Sequence, residues 1–238
     1  MIDFVRLAAD RMEARIRRQE VYANNVANVG TVGYKRDRVF QKVLNEASRG
    51  TSYNMWEVPD FSQGPLRETS DPFNVAITGD GFFVIDNEDG PRYTRNGSFM
   101  LNEDGELILE SAGPVMGENG PIEVKGKLEI SIDGDVFVNG GLVDRLKIVD
   151  FEDKATALRK VGHSMYELAE DNGNEKVDEI EASGYRIDQG FIEESNVNAV
   201  EEMVNMLSIM RYFEATQKTM QTLDNVLDRA ANQIGRVS

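Results

Sequence analysis

The sequence predicts a mixed α and β fold: a central antiparallel all-β domain flanked by long N- and C-terminal α-helices that pair in the assembled state. Three observations predict it. Apolar residues recur every seven positions at both ends of the chain, the spacing of a seam that packs on another helix. Between the ends, short β-rich runs alternate with Asp, Asn and Gly turns about every 8–14 residues. The helices of about 10–15 residues that would separate the strands of a parallel sheet are missing from that pattern. The expected partition is a helical segment over 1–45, a β domain over 46–190 and a second helical segment over 191–238.

The first helix is expected from Ile2 to Asn28. Ile2, Ala9, Ile16 and Ala23 form its stripe, with Val5, Met12 and Val26 on the offset row. Its interior lacks Gly and Pro, and Ala, Arg, Met, Glu and Gln favour helix. It runs out in Asn24-Asn25-Val26-Ala27-Asn28-Val29-Gly30, where Asn and Gly tolerate left-handed angles. Residues 46–65 read as a loop because Gly50, Pro59, Gly64 and Pro65 punctuate them.

The strands follow from the turns. Gly79-Asp80-Gly81 separates Val75–Ile77 from Phe82–Ile85, and Asn87–Gly90 leads into Arg92–Arg95. Ser98–Leu101 and Leu107–Leu109 flank Asn102–Gly105. Leu128–Ile132 and Val136–Val138 flank Asp133-Gly134-Asp135, and Leu146–Phe151 is the last clear strand. Residues 152–182 are ambiguous, with a polar loop at Glu170–Glu175. The last helix is expected to begin at a cap on Asn198, in a capping-box pattern with Glu201, and to run to about Ile234, before Gly235. Its stripe is Ala199, Met206, Phe213, Met220, Leu227 and Ile234, with Ile209, Leu223 and Ala230 offset. Near its start Met203, Val204, Leu207 and Met210 widen the apolar face. At 1.5 Å per residue this helix is about 54 Å long, a length typical of bundles and supercoils rather than of globular cores.

Composition removes several function classes. The net charge of -16 is uneven: nine Lys/Arg face five Asp/Glu in residues 1–42, and four face five in 195–238. Nearly all the excess acid therefore lies in the middle, which argues against a nucleic-acid-binding body. The basic N-terminal arm reads as a solvated helix face. With no cysteine, disulfides, thiolate metal sites and Cys nucleophiles are excluded. No run reaches the roughly 18 apolar residues of a membrane span. The charged start (Asp3, Arg6, Asp10, Arg11) is unlike a cleaved signal peptide.

No catalytic constellation emerges. Paired acids such as Glu88-Asp89, Glu103-Asp104 and Glu193-Glu194 read as turn formers or solvated charges rather than a glycosidase pair. Asp86–Gly90 lacks the Gly at the sixth position and the Glu at the twelfth of a calcium loop. Gly79-Asp80-Gly81 precedes a strand, whereas a phosphate loop opens a helix. His163 is the single histidine, so no multi-histidine metal site exists. No catalytic, cofactor or metal residue is assigned, and no cofactor is expected.

Ala23-Asn24-Asn25-Val26-Ala27-Asn28-Val29-Gly30-Thr31-Val32-Gly33-Tyr34-Lys35 resembles the N-terminal signature of bacterial flagellar axial proteins, the rod and hook family. Gln63–Thr69 with Asn74–Ile85, and Tyr93–Phe99 with Asp104–Leu107, resemble the family's central block. Gln189–Asn198, Glu201–Val204 and Arg211–Ala215 resemble its C-terminal signature. The signature residues are Asn24, Asn25, Asn28, Gly33, Gly79, Gly81 and Asn196. Ser70-Asp71 stands where the family commonly has Gly-Asn, and Val26 replaces Leu or Ile. The short stretch between the first helix and Gln63, together with Gly117–Ile122, is most like a proximal rod subunit. A distal rod subunit is the alternative.

The resemblance implies a structural subunit of the basal-body rod, exported through the flagellar type III apparatus without a cleaved signal. Its partners would be copies of itself and neighbouring axial subunits, with no nucleic acid and no small-molecule substrate. The implied assembly interface comprises Ile2, Val5, Ala9, Met12, Ile16, Ala23, Val26, Met206, Ile209, Phe213, Met220, Leu223, Leu227 and Ile234. Phe40 and Leu44 resemble an export-gate motif, for which an apolar contact within a helix is an equal explanation. Rival readings are a glycan-active or glycan-binding β domain on a coiled-coil stalk, and a cytosolic coiled-coil adaptor.

Overall fold

The computed structural model describes residues 2–46, 50–110, 112–162, 164–169 and 179–234. His163, the expected loop at 170–175 and Gly235 lie outside them. The chain divides into two compact units. One comprises Met1–Val26, Arg38–Glu57 and Asn198–Ser238, and the other Ala27–Asp37 and Val58–Val197.

The first unit carries the long helices. Helix α1 spans Ile2–Ala27, so Asn24 and Asn25 are still helical and the chain leaves the helix one residue earlier than expected. The other long helix, Ala199–Ile234, begins where the cap pattern put it. The Asn198 side-chain oxygen accepts from the Val200 and Glu201 amides at 3.1 and 3.3 Å, satisfying donors that the first turn leaves open. The third component corrects the reading of 46–65 as loop. Asp37–Glu46 and Gly50–Pro59 are ten-residue strands that pair as a two-stranded sheet. Turn-forming Gly and Pro outweighed Tyr53, Met55, Trp56 and Val58 in the sequence reading. The β-favouring residues prevail, and Gly50 and Pro59 stand at the strand's ends, where they do least harm.

The second unit is built of short antiparallel strands. The strand Phe82–Ile85 sits inside a six-stranded sheet, paired with Arg92–Thr94 on one side and Ile148–Asp150 on the other. All four of its residues are buried, because its alternating side chains feed two separate cores. Phe83 and Ile85 join Val75, Ile77, Phe99, Leu107 and Leu146. Phe82 and Val84 join Tyr93, Val149, Phe151, Leu158 and Tyr166. Ile148 and Val149 divide between the same two cores.

The ambiguous stretch resolves into a short helix α2, Lys154–Ala157, capped by Asp153, and a hairpin of Leu158–Gly162 with Met165–Leu168. The remaining long helix, α3, is Ala199–Ile234. The chain closes the unit with distant pairings: Arg186–Gln189 lies against Val75–Thr78, and Phe191–Glu193 against Leu66–Glu68. The turn that follows Val75–Thr78 takes left-handed backbone. Gly79 and Gly81 have φ of 103° and 123°, the turn that Gly permits without a steric cost.

Candidate functional site

The predicted residues gather in two places. The first is the surface of the long helices. Among the described side chains of α1, the buried ones are Ala14, Val21 and Asn25. At about 100° per residue, that face is roughly opposite the predicted stripe. Ile16 is 46% exposed, Ala23 is exposed, and Met12 and Val26 are half-buried. The side chains of Ile2, Val5 and Ala9 lie outside the described residues, as do those of Leu44, Leu227, Ala230 and Ile234.

On α3 the arrangement is reversed. The predicted seam is the covered one: Ile209 is 5% exposed, while Met206, Phe213 and Met220 are half-buried and Leu223 is exposed. A second apolar face lies roughly opposite Ile209. It consists of Val200, Met203, Val204, Leu207 and Met210, with Val200 71% and Leu207 54% exposed. The sequence reads Met203, Val204, Leu207 and Met210 as a widening of the main seam; the helical wheel instead sets them, with Val200, on a separate face. Within the same unit the Arg15 guanidinium stacks 3.6 Å from the centre of the Tyr212 ring. On the hairpin, Phe40 and Trp56 stack in parallel with centroids 6.2 Å apart, both about half exposed. Phe40 is therefore on a strand, and the intrahelical explanation of its spacing from Leu44 does not apply.

The second place is in the β unit, where the signature segments meet. Glu193, at the end of the closing strand Phe191–Glu193, is buried with Lys35 and Arg95. Its Oε1 accepts from Lys35 Nζ at 2.6 Å and from the Gly64 amide at 2.8 Å. Its Oε2 lies 3.5 Å from Arg95 Nη1. Lys35 Nζ also donates to the Ser62 carbonyl at 2.8 Å. Burial pushes the Lys35 ammonium below its ordinary range; Glu193 opposes that shift, and Arg95 adds to it. Burial likewise lowers Arg95, against the pull of Glu193.

Asn196 ties the same segments by their backbone. Its Oδ1 accepts from the Arg36 amide at 2.7 Å. Its Nδ2 donates to the carbonyls of Asp60 and Ser62 at 2.8 and 2.9 Å. Gly33 donates its amide to the Glu193 carbonyl at 2.8 Å with φ of 68°, and a Cβ there would collide with the Asn96 backbone. A Cβ on Gly64 would strike the Glu194 carbonyl, and one on Gly97 the Val75 carbonyl. Lys160 closes the edge, with Nζ 3.8 Å from the Tyr34 ring centre and 2.7 Å from Asp37 Oδ2. Of the signature residues, Gly33 and Asn196 belong to this knot. Gly79 and Gly81 shape the turn beside it, Asn25 is buried in α1, Asn24 is exposed, and Asn28 accepts from Thr31 Oγ1 at 3.2 Å. Lys35, Arg95 and Glu193 were missed as a group, although each lies inside a motif; nothing in sequence spacing brings residues 35, 95 and 193 together.

Known proteins match this chain in sequence at its N-terminal, central and C-terminal regions. Residues 6–35 match the family described as "Flagella basal body rod protein". Residues 76–138 match "Flagellar hook protein FlgE/F/G D1 domain", and residues 188–234 match "Flagellar basal body rod FlgEFG protein C-terminal". The flagellar basal-body rod protein FlgF of Mesorhizobium japonicum is 34% identical over the full length of both chains. The chain belongs to the flagellar basal-body rod protein family. FlgG of Buchnera aphidicola subsp. Schizaphis graminum is 30% identical over 96% of this chain and 98% of its own. The flagellar hook-basal body complex protein FlhO of Bacillus subtilis is 29% identical over 97% of each. The N-terminal match ends at Lys35 and the C-terminal match begins at Asp188, so each runs through a long helix and into the knot: the first contains Gly33 and Lys35, the second Glu193 and Asn196. The chain is a structural rod subunit.

Proposed function

We propose that this subunit, most like a proximal rod subunit, polymerises through its terminal helices into the tubular shaft of the basal body. In this reading 1–45 and 191–238 form the inner part and 46–190 the outer β body. α1 and α3 pair, with Arg15 on Tyr212 as one of their contacts, and the faces they leave uncovered meet those of neighbouring subunits. The observation that carries this reading is the second apolar face of α3. Five large apolar side chains on three turns of one helix stand in water, an arrangement that marks an interaction surface. Head-to-tail contacts of this kind do not close and so generate a filament. Partners are thus copies of the chain and other axial subunits, with the type III apparatus as the export route and no cofactor, nucleic acid or substrate.

The test is a Val204→Ser/Leu207→Ser double variant. Both positions are exposed, so far-UV circular dichroism and melting of the isolated subunit stay within about 0.5 kcal/mol of the parent, while sedimentation shows loss of polymer and motility complementation fails. Unimpaired polymer and motility would overturn the proposal.

The glycan reading has less support. A groove of about 310 Å³ is lined by Glu118, Leu146, Ile148, Glu179, Glu181 and Tyr185. Its Glu179 is already engaged by the Tyr93 hydroxyl at 2.6 Å and by Lys147 at 2.8 Å.

A further inference from the structure

We propose that the buried Lys35–Glu193–Arg95 cluster is a one-carboxylate latch that keeps the strap 189–197 shut, so that both helix roots are fastened or released together. The strap lies over three other segments. Phe191–Glu193 pairs with Leu66–Glu68, the Glu194 amide donates to the Pro65 carbonyl at 2.8 Å, and Asn196 holds Arg36, Asp60 and Ser62. Segment 33–37, which follows α1, is tied to it through the Gly33 amide and Lys35. The chain thus leaves this knot toward α1 at one end and toward α3 at the other.

The charge count makes the latch one-sided. Lys35 and Glu193 side chains are 0% and 1% exposed, and Arg95 is 3% exposed. Among the described residues, Glu193 is the carboxylate within ion-pair distance of both cations. Asp60 acts on Lys35 only at longer range, and so do Asp80 and Asp150 on Arg95; the latter two already share Lys154. When the strap lifts, two buried cations lose their common counter-charge and repel each other, a state a protein interior does not tolerate. They must then reach water, which opens segments 33–37 and 60–65 as well. Release is therefore concerted. The sequence separation reinforces this: the latch joins residues 158 apart, so the β unit cannot close until its last strand arrives.

Loss of the carboxylate and loss of one cation should consequently have opposite results. Glu193→Gln keeps the shape and leaves two cations unpaired. Lys35→Met leaves a net-neutral Arg95–Glu193 pair and orphans no further group: Ser62 O still accepts from Asn196 and Glu193 Oε1 from Gly64, while Arg95 Nη1 and Glu193 Oε2 lack a hydrogen bond in the parent as well. Amide hydrogen exchange of the full-length monomer reads the difference. In Glu193→Gln, exchange at Gly33, Gly64 and Glu194 accelerates together, roughly a hundred- to a thousand-fold, as expected for breaking a buried ion pair. In Lys35→Met the same amides stay within about threefold of the parent. Equal acceleration in both variants would reduce the cluster to ordinary packing and overturn the latch, as would acceleration of one segment without the others. Should Glu193→Gln not fold, Lys35→Met and Arg95→Met are added to it, so that no buried cation is left without its counter-charge. Recovery of the fold supports the charge argument, and failure to recover overturns it. The measurement is made on monomer, so its outcome is independent of whether the helices polymerise.

Discussion

Asn196 needs both ends of its amide: an acceptor for the Arg36 amide and a donor for the Asp60 and Ser62 carbonyls. Asp at this position keeps the shape but aims a carboxylate at two carbonyl oxygens. Asn196→Asp should therefore lower unfolding free energy by about 2–3 kcal/mol, measured by urea titration. Ser70 shows the opposite case. Its φ of 59° is the left-handed conformation that costs a side-chain-bearing residue about 1–2 kcal/mol. Ser70→Gly should raise stability by about 0.5–1 kcal/mol in the same titration. The two fully buried tyrosines, Tyr93 and Tyr166, set the alkaline limit. Burial raises the Tyr166 phenol, and burial with the hydrogen bond to Glu179 raises Tyr93. The unfolded chain surrenders these protons near pH 10, so folding is fully favoured below that value and loses stability as pH climbs above it. Tyrosinate absorbance should show two phenols titrating only with cooperative unfolding; smooth titration near pH 10 of all seven tyrosines would contradict this.

Among the elements, α1 and α3 show what periodicity leaves open. A seven-residue repeat says that a stripe packs on something, not whether the partner is the same chain. On α3 the repeat through Met206, Ile209 and Phe213 is covered, whereas on α1 the repeat through Ile16 and Ala23 faces outward. Ile209→Ala should thus cost the monomer about 2–4 kcal/mol in thermal melts, while Ile16→Ser leaves its melting temperature nearly unchanged and weakens polymerisation. The basic face of α1 invites a similar test against the acidic body. Arg17, paired on the surface with Glu13, is the clean position, because Arg15 is stacked on Tyr212. Arg17→Glu should slow assembly most at low salt; salt-independent, undiminished rates would remove that role. The short strands were legible because Asp-Gly and Asn-Gly turns fix them locally. The 37–59 hairpin and the closing strands 186–193 were not, because their partners are chosen by tertiary packing over long sequence distance.

For the whole molecule, the family signatures have two jobs that sequence alone merges. Gly33, Gly64, Gly97 and Asn196 serve the knot of the β unit, where backbones approach too closely for a side chain. In the proposed assembly the exposed apolar faces of α1 and α3 serve the neighbours. A polar substitution in the second set is expected to spare the fold and stop assembly, while one in the first set is expected to spoil both. Lys35, Arg95 and Glu193 could be placed in the first set only after the chain was folded, since charge in a motif looks identical whether it is solvated or sealed.

Trp56 is the single tryptophan of the chain, and it stands with Phe40 on the hairpin grouped with the terminal helices. The β unit contributes no indole, so the molecule comes with a built-in optical label on one of its halves. Fluorescence excited at the red edge follows that half alone, whereas the tyrosines are spread over both units, so the melting of the helical half can be recorded by itself without a dye.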